Sequence, residues 1–393
     1  MKKQLLGTTT LVAAGLLMGQ GAFAAEPMSL SIGGYLQSAF SVADDDDGVG
    51  RPGAGIHPNT ISTEGEVQFT ATTELDNGLM IRARIEYEAV NQSGGAAIVD
   101  ERYVRFSGGF GQFVIGQDDN ASYQMQYTAP QGSWQMGINS PTFALPATGG
   151  NAITSYTSLW GGPGGDGGKI IYFTPRFNGF QLGVSYQPDG AGDPGAFPST
   201  RTSDSDFAGQ ETIIAVGVNY VSSFDEVDVA VNFGYVHGQL EQNGGTTTTS
   251  VSVTSGGSVV GSFTTTPGGG RANQEVFVAG VNVGFEGFTV GAGYMHDNRG
   301  RSGRQDFQGF DIGVTYSTGP WTVGVSYLDI EIERGAGAGE DDVNAWLLAG
   351  QYSLGGGVDL FGGVKWYDFD DSANAVGSEN SVIIGVLGTS IYF

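Results

Sequence analysis

Apolar side chains recur at every second position through much of the second half of the chain. Phe180, Leu182, Val184 and Tyr186 share one parity, with Gln181, Gly183 and Ser185 on the other. The same alternation runs through Val227 to Tyr235, Phe288 to Tyr294, Phe310 to Tyr316 and Trp321 to Tyr327. A period of two marks strands with one apolar and one polar face, not helices. Several apolar faces begin and end on aromatics: Phe180 and Tyr186, Phe288 and Tyr294, Phe310 and Tyr316, Trp321 and Tyr327. Each such step covers roughly 20 Å at about 3.3 Å per residue. With strand tilt, that length fits two aromatic girdles flanking a lipid-facing band. The opposite face, written in Gly, Ser, Thr, Asn and Gln, is expected to line a wet lumen.

Punctuation alternates between short and long. Short turns are expected at Asp76-Asn77-Gly78, Gly108-Gly109, Asn178-Gly179, Asp225-Glu226, Glu286-Gly287, Gly319-Pro320 and Gly355-Gly356-Gly357. Long polar loops are expected near 44–60, 91–97, 118–168, 188–211, 239–273, 297–306, 332–342 and 370–379. Together they partition the chain into about sixteen strands. The predicted fold class is all-β, a transmembrane antiparallel β-barrel with short turns at one end and long loops at the other. Closure removes the unpaired strand edges that lipid does not tolerate.

Composition sharpens this picture. Lys2 and Lys3, the apolar stretch Leu11 to Met18 and Ala22-Phe23-Ala24 read as a cleaved export signal over residues 1–24, leaving 25–393 as one barrel domain. The leader carries two of the 16 basic residues and none of the 41 acidic ones, so the remainder has a side-chain balance of −27. Nucleic acid is excluded as a partner, because binding it needs a basic footprint. Cysteine is absent, so thiol-ligated metal and disulfides are excluded too. Glycine at 68 residues and charged residues at only 15%, against about 25% in soluble domains, suit strands that bury one face.

The chain ends Ile391-Tyr392-Phe393 after an alternating strand, which resembles the end of outer-membrane barrels read by their assembly machinery. Three stretches resemble the Gram-negative general porin family: Arg102 to Gly116, Tyr172 to Phe180, and the N-terminal strand from Leu30. The resemblance covers essentially the whole chain after the leader. It implies a sixteen-stranded homotrimer in the bacterial outer membrane, with short periplasmic turns, long extracellular loops and contact with lipid and lipopolysaccharide. It also implies that the third long loop, 118–168, folds into the barrel and narrows it. Family members usually carry several carboxylates in this loop. Here it has Asp118, Asp119 and Asp166, with Tyr123, Tyr127, Trp134, Phe143, Tyr156 and Trp160.

Scarce charges then single out candidates. On the third strand Arg82, Arg84, Glu86 and Glu88 alternate with Ile81, Ala83, Ile85 and Tyr87, and Arg facing mid-bilayer costs about 2–4 kcal/mol. All four are expected on the lumen wall of a constriction, together with Asp118 and Asp119. Arg102 and Arg105 have opposite parity, and Arg102 is the one assigned to the wall, on its motif position. Lys365 falls on the face opposite Val364 and Trp366. Phe393 is the expected barrel assembly signal.

Asp44 to Asp47, Glu340-Asp341-Asp342 and Asp368, Asp370 and Asp371 read as solvated loop surface, with weak Ca²⁺ or Mg²⁺ binding as the alternative; no dedicated cofactor is expected. His57, His237 and His296 lack nucleophile or metal spacing, so no enzyme is expected. The stretch Thr246 to Thr266 reads as a long loop with hairpin character. The expected function is passive diffusion of ions and small hydrophilic solutes, with cations preferred. The alternatives are a substrate-selective porin, for sugars for example, and a structural or adhesive barrel.

Overall fold

The hairpins are set by two-residue turns. Asn178–Gly179 and Glu286–Gly287 have positive φ at both positions, 48° and 88° in the first and 47° and 86° in the second. That backbone matches the twist of the strands it joins. A Cβ on Gly287 would lie 2.5 Å from the Ser317 carbonyl oxygen, so only glycine fits there.

The structure is a computed structural model describing residues 27–45, 58–90, 99–139, 163–190, 209–241, 254–255, 258–259, 271–301, 303, 305–334, 339–370 and 380–393. The expected leader, and the loop residues Phe143, Tyr156, Trp160 and His57, lie outside these. The strands are β1 (Ser29–Asp45), β2 (Asn59–Glu74), β3 (Met80–Glu88), β4 (Val99–Gly108), β5 (Gly111–Gln117), β6 (Gly168–Phe173), β7 (Phe180–Asp189), β8 (Gln210–Phe224) and β9 (Val227–Leu240). A two-stranded ribbon follows, β10 (Thr254–Ser255) with β11 (Ser258–Val259), inside the stretch expected to have hairpin character. The remaining strands are β12 (Gln274–Phe285), β13 (Phe288–Asp297), β14 (Phe307–Thr318), β15 (Trp321–Glu333), β16 (Glu340–Gly355), β17 (Val358–Asp370) and β18 (Asn380–Tyr392). A single helical turn, α1 (Ala121–Gln124), follows β5.

All strands except the ribbon pair in order into one closed antiparallel barrel. Each of the seven short turns falls between two of them. The barrel closes where β1 meets β18, and the last residue completes the seam. Gly34 N–H donates to the Phe393 carbonyl at 3.0 Å, and Phe393 N–H donates back to Gly34 at 3.2 Å. A Cβ on Gly34 would come 2.2 Å from the Glu66 carbonyl oxygen, so this crossing requires the bare backbone.

Outward faces carry the aromatics in two rows. One row pairs Phe180 with Tyr220, Phe288 with Tyr316 and Trp321 with Tyr352, at centroid distances of 4.7, 4.5 and 4.4 Å. The other pairs Tyr235 with Phe277 and Tyr327 with Trp346, at 4.8 and 4.7 Å. Val290, Ile312, Val314, Val323 and Val325 lie exposed between the rows, as a lipid-facing band requires.

Inward faces depart from the expectation of a uniformly polar lumen. On β15 the inward residues are Thr322, Gly324 and Ser326, then Leu328, Ile330 and Ile332, all three buried. Past Tyr327 the outward parity changes as well, to Asp329, Glu331 and Glu333. Neighbouring strands do the same, with Val343, Phe369, Val382 and Ile384 buried inward. Above the outer aromatic row the strands are therefore inside-out relative to their lipid-spanning part. Water bathes their outer face, and their inner face joins an apolar core.

Candidate functional site: an internal belt and a charged wall

Residues 118–139 run around the inside of the barrel as a belt. Asn120 caps α1, its Oδ1 accepting from Tyr123 N–H at 3.0 Å. Several strands around the barrel then extend polar groups to the belt's backbone and side chains. Ser185 Oγ on β7 accepts from Ala121 N–H at 3.2 Å, and Asn232 Oδ1 on β9 accepts from Tyr127 N–H at 2.8 Å. Asp311 on β14 accepts from Ala129 N–H through Oδ1 at 2.7 Å, and from Asn139 Nδ2 through Oδ2 at 3.1 Å. Ser326 on β15 donates to the Pro130 carbonyl at 3.3 Å. Ser390 Oγ on β18 accepts from Gln135 Nε2 at 2.6 Å. Lys365 on β17, inward as its parity implied and 2% exposed, donates to the carbonyls of Gly137 and Ile138 at 3.3 and 3.4 Å.

A track of inward glycines makes room for this backbone. A Cβ on Gly280 would meet the Tyr127 carbonyl at 1.8 Å, and one on Gly234 would meet Ser122 Oγ at 2.0 Å. Gly293, Gly313 and Gly324 lie as close to Thr128, Pro130 and Gly132 as a side chain could tolerate. The abundant inward glycine thus serves a buried chain segment on these strands, where the sequence pattern read it as lumen lining. Ala129, Met136 and Ile138 of the belt pack into the apolar core above the track.

The charged wall faces from β2 to β4. Register places Thr70 opposite Arg84, Gln68 opposite Glu86 and Glu66 opposite Glu88, so Arg82, Arg84, Glu86 and Glu88 share the inward parity. Arg84 Nε pairs with Glu86 Oε1. Gln68 Nε2 donates to Glu66 at 3.3 Å.

Arg102 departs from its expected place. Ile85 pairs with Arg102 and Tyr87 with Val99, so Glu86 stands opposite both Asp100 and Glu101 in a β-bulge. The extra residue inverts the parity of β4. Arg102 shares the outward face of Val104, and Arg105 takes the inward one. Arg105 is 8% exposed, and its Nη2 lies 3.3 Å from Asp118 Oδ2. The bulge also turns both Asp100 and Glu101 toward the wall, which a simple alternation could not reveal.

Asp118 and Asp119, expected to border the passage, form the root of the belt, Asp118 buried and Asp119 half-buried. Lys169 on β6 donates to the Asp118 carbonyl and, at 2.7 Å, to Gly165. Burial pushes the Asp118 carboxyl above its ordinary range, against the opposing pull of Arg105. Burial, then the nearby Asp166 and Asp118 charges, push Asp119 up to about 8. Two carboxylate groups have oxygens within 4.8 Å of one another, Glu66–Glu88–Asp100 and Glu101–Asp119–Asp166. The first could hold a divalent cation; in the second, a proton on Asp119 relieves the same repulsion. Both lie by the wall, away from the loop clusters considered for Ca²⁺ or Mg²⁺. His237 and His296 lie on the outward parity of β9 and β13, 3.8 Å from Glu275 and 3.4 Å from Asp306.

The family model described as Gram-negative porin matches residues 7–372. The chain belongs to the Gram-negative porin family. It is an outer-membrane barrel that forms a channel. No curated protein sequence matches this porin. Its fold is similar to the anion-selective porin from Comamonas acidovorans, at 14% identity and TM-score 0.59, over 93% of this chain and 100% of that one. It is also similar to a trimer form of OmpT, an outer membrane protein of Vibrio cholerae, at 12% identity and TM-score 0.56, over 94% and 100%. A porin refined at 1.8 Å resolution gives 17% identity and TM-score 0.53, over 93% and 100%. At such identities the likeness is one of fold.

Proposed function

We propose that this porin passes ions and small hydrophilic solutes by passive diffusion, favouring cations, and that it catalyses no reaction. The observation that carries the reading is the charge of the wall facing the belt. Glu64, Glu66, Glu86, Glu88, Asp100 and Glu101 outnumber Arg82, Arg84 and Arg105 there, and Arg84 and Arg105 are already engaged by Glu86 and Asp118. A narrow low-dielectric passage amplifies such an excess. The belt, held by side chains from several strands, is the constriction in this reading.

The active form we infer is a homotrimer meeting through the outward faces of β1 to β5. Gly65, Ala71 and Ala83 flatten that surface, and Arg102 projects from it. An arginine at the lipid midplane would cost about 2–4 kcal/mol, a cost that a subunit contact avoids. The test is the reversal potential in a KCl gradient across a planar bilayer. Cation preference is expected, weakening as the Debye length falls from about 10 Å at 0.1 M salt to about 3 Å at 1 M. Anion preference at low salt would overturn the reading.

A further inference from the structure

The tip of the belt meets β1 in an arrangement that the diffusion of inorganic ions does not require. Among residues 132–139, Trp134 alone keeps solvent contact; the others are buried. Its indole stands edge-on to the Tyr35 ring, with centroids 5.5 Å apart at 90°. The Tyr392 ring lies 6.2 Å away at 45° and accepts the indole N–H through its hydroxyl. Three rings from the N-terminal strand, the belt and the C-terminal strand thus form an aromatic corner on the lumen side.

The polar groups beside this corner are short of donors. Tyr35 O–H donates to Glu66 at 3.0 Å and lies 3.3 Å from Glu64. Gln37 donates its Nε2 to Glu64 at 2.5 Å. Gln37 is fully buried, and its Oε1 has no partner. Two carboxylates and an orphaned amide oxygen therefore face one hydroxyl and the amide hydrogens of Gln37 and Gln68. A buried acceptor without a donor is costly, and two adjacent carboxylates call for a cation.

Building on the cation-conducting reading, we propose that this corner is a binding station for organic ammonium ions, with Trp134 and Tyr35 as its aromatic walls and Glu64 and Glu66 as its counter-charge. An alkylammonium matches both halves of the site. Its positive charge is drawn to ring faces within about 6 Å of their centroids, and its methyl groups displace water from them. A hydrated metal ion would use the carboxylates and gain little from the rings. A neutral sugar would use the rings and leave the charge unanswered.

The experiment titrates choline into channels conducting KCl, with Mg²⁺ and glucose as comparators. Choline should lower conductance saturably. Trp134→Leu should raise its half-blocking concentration by about tenfold, and Trp134→Phe should largely restore it. Glu64→Gln with Glu66→Gln should weaken choline and Mg²⁺ together, while Trp134→Leu leaves Mg²⁺ unchanged. Isothermal titration of choline into the detergent-folded barrel reads binding without conduction, so a non-conducting barrel would defeat the channel reading and leave this test intact. No choline binding, or block indifferent to Trp134, or equal block by glucose, would overturn the station.

Discussion

Asn139 Nδ2 donates to Asp311 Oδ2 at 3.1 Å, and the other oxygen of that carboxylate holds the Ala129 amide at 2.7 Å. One fully buried side chain on β14 thereby joins the outgoing and returning arms of the belt. Each hydrogen bond to a charged group is worth about 1.5–3 kcal/mol. Asp311→Ala should free the belt tip, raising single-channel conductance and open-channel noise while the barrel still folds. Conductance equal to the parent channel, with normal heat-resistant oligomer on gels, would show that the belt is held elsewhere.

The glycine track makes a steric prediction. Gly280→Val places branched carbon where the Tyr127 carbonyl already lies, so the belt must leave β12. Larger pores and passage of bulkier solutes in liposome swelling are expected. Gly385→Ala, whose added carbon would meet only Val42 at 3.4 Å, should change nothing and serves as the control.

The bulge on β4, ahead of Arg102, sets that arginine on the outward face and leaves Arg82 and Arg84 on the inward one. Arg82→Gln with Arg84→Gln should shift the reversal potential toward cations, because positive charge leaves the wall. Arg102→Gln should leave selectivity unchanged and reduce the yield of trimer instead, since its parity faces outward. Selectivity that follows Arg102 would place the inversion of parity in error.

Asp119 makes a prediction about pH. Its carboxyl, raised to about 8 by burial and by its acidic neighbours, is mostly neutral at pH 7 and becomes charged as the pH climbs through 8. Negative charge then enters the belt root, and cation preference should rise between about pH 7 and 9 in chelator-treated buffer. Asp119→Asn should flatten that rise. The same sign holds for stability. A carboxyl raised above its unfolded value favours the fold at acid pH, and that contribution is lost progressively as the pH passes from the unfolded value to about 8.

At the seam, deleting Phe393 removes both hydrogen bonds to Gly34 and the exposed terminal ring. Export should continue while heat-resistant barrel in the outer membrane falls several-fold, read by unheated gel mobility. Full yield would mean that closure relies on the rest of β18.

The barrel was legible in the sequence because both of its signals are local. Glu286-Gly287 announces a tight hairpin, and the residues on either side alternate without interruption. What escaped notice depends on contacts between distant parts of the chain. The inversion at Arg102 comes from one extra residue between Val99 and Arg102, and its register is visible only against β3. The inward glycines of β9, β12 and β13 read as lumen lining because their true neighbours lie some 100 residues or more away, in the belt. Asp311 left a fainter trace, as a single charge on the otherwise uncharged inward face of β14, and Lys365 another, as a lone basic residue inward on β17. The reversal on β15 was written in the chain at Tyr327-Leu328-Asp329. It shows only when the apolar parity above the girdle is set beside that below it.

That reversal also fixes how deep the barrel sits. The hydroxyl of Tyr327 donates to Asp329 Oδ2 at 3.0 Å, so the last side chain at home among acyl chains touches the first that is not. Sliding the barrel inward by one pleat, about 7 Å along the strand, would drown Asp329 in hydrocarbon together with Asn344 and Asp368, its row partners. Sliding it outward would strand the valines below Tyr327 in water. Both displacements are opposed on the same strands, which gives the protein a waterline set by its own side chains, whatever the thickness of the leaflet around it.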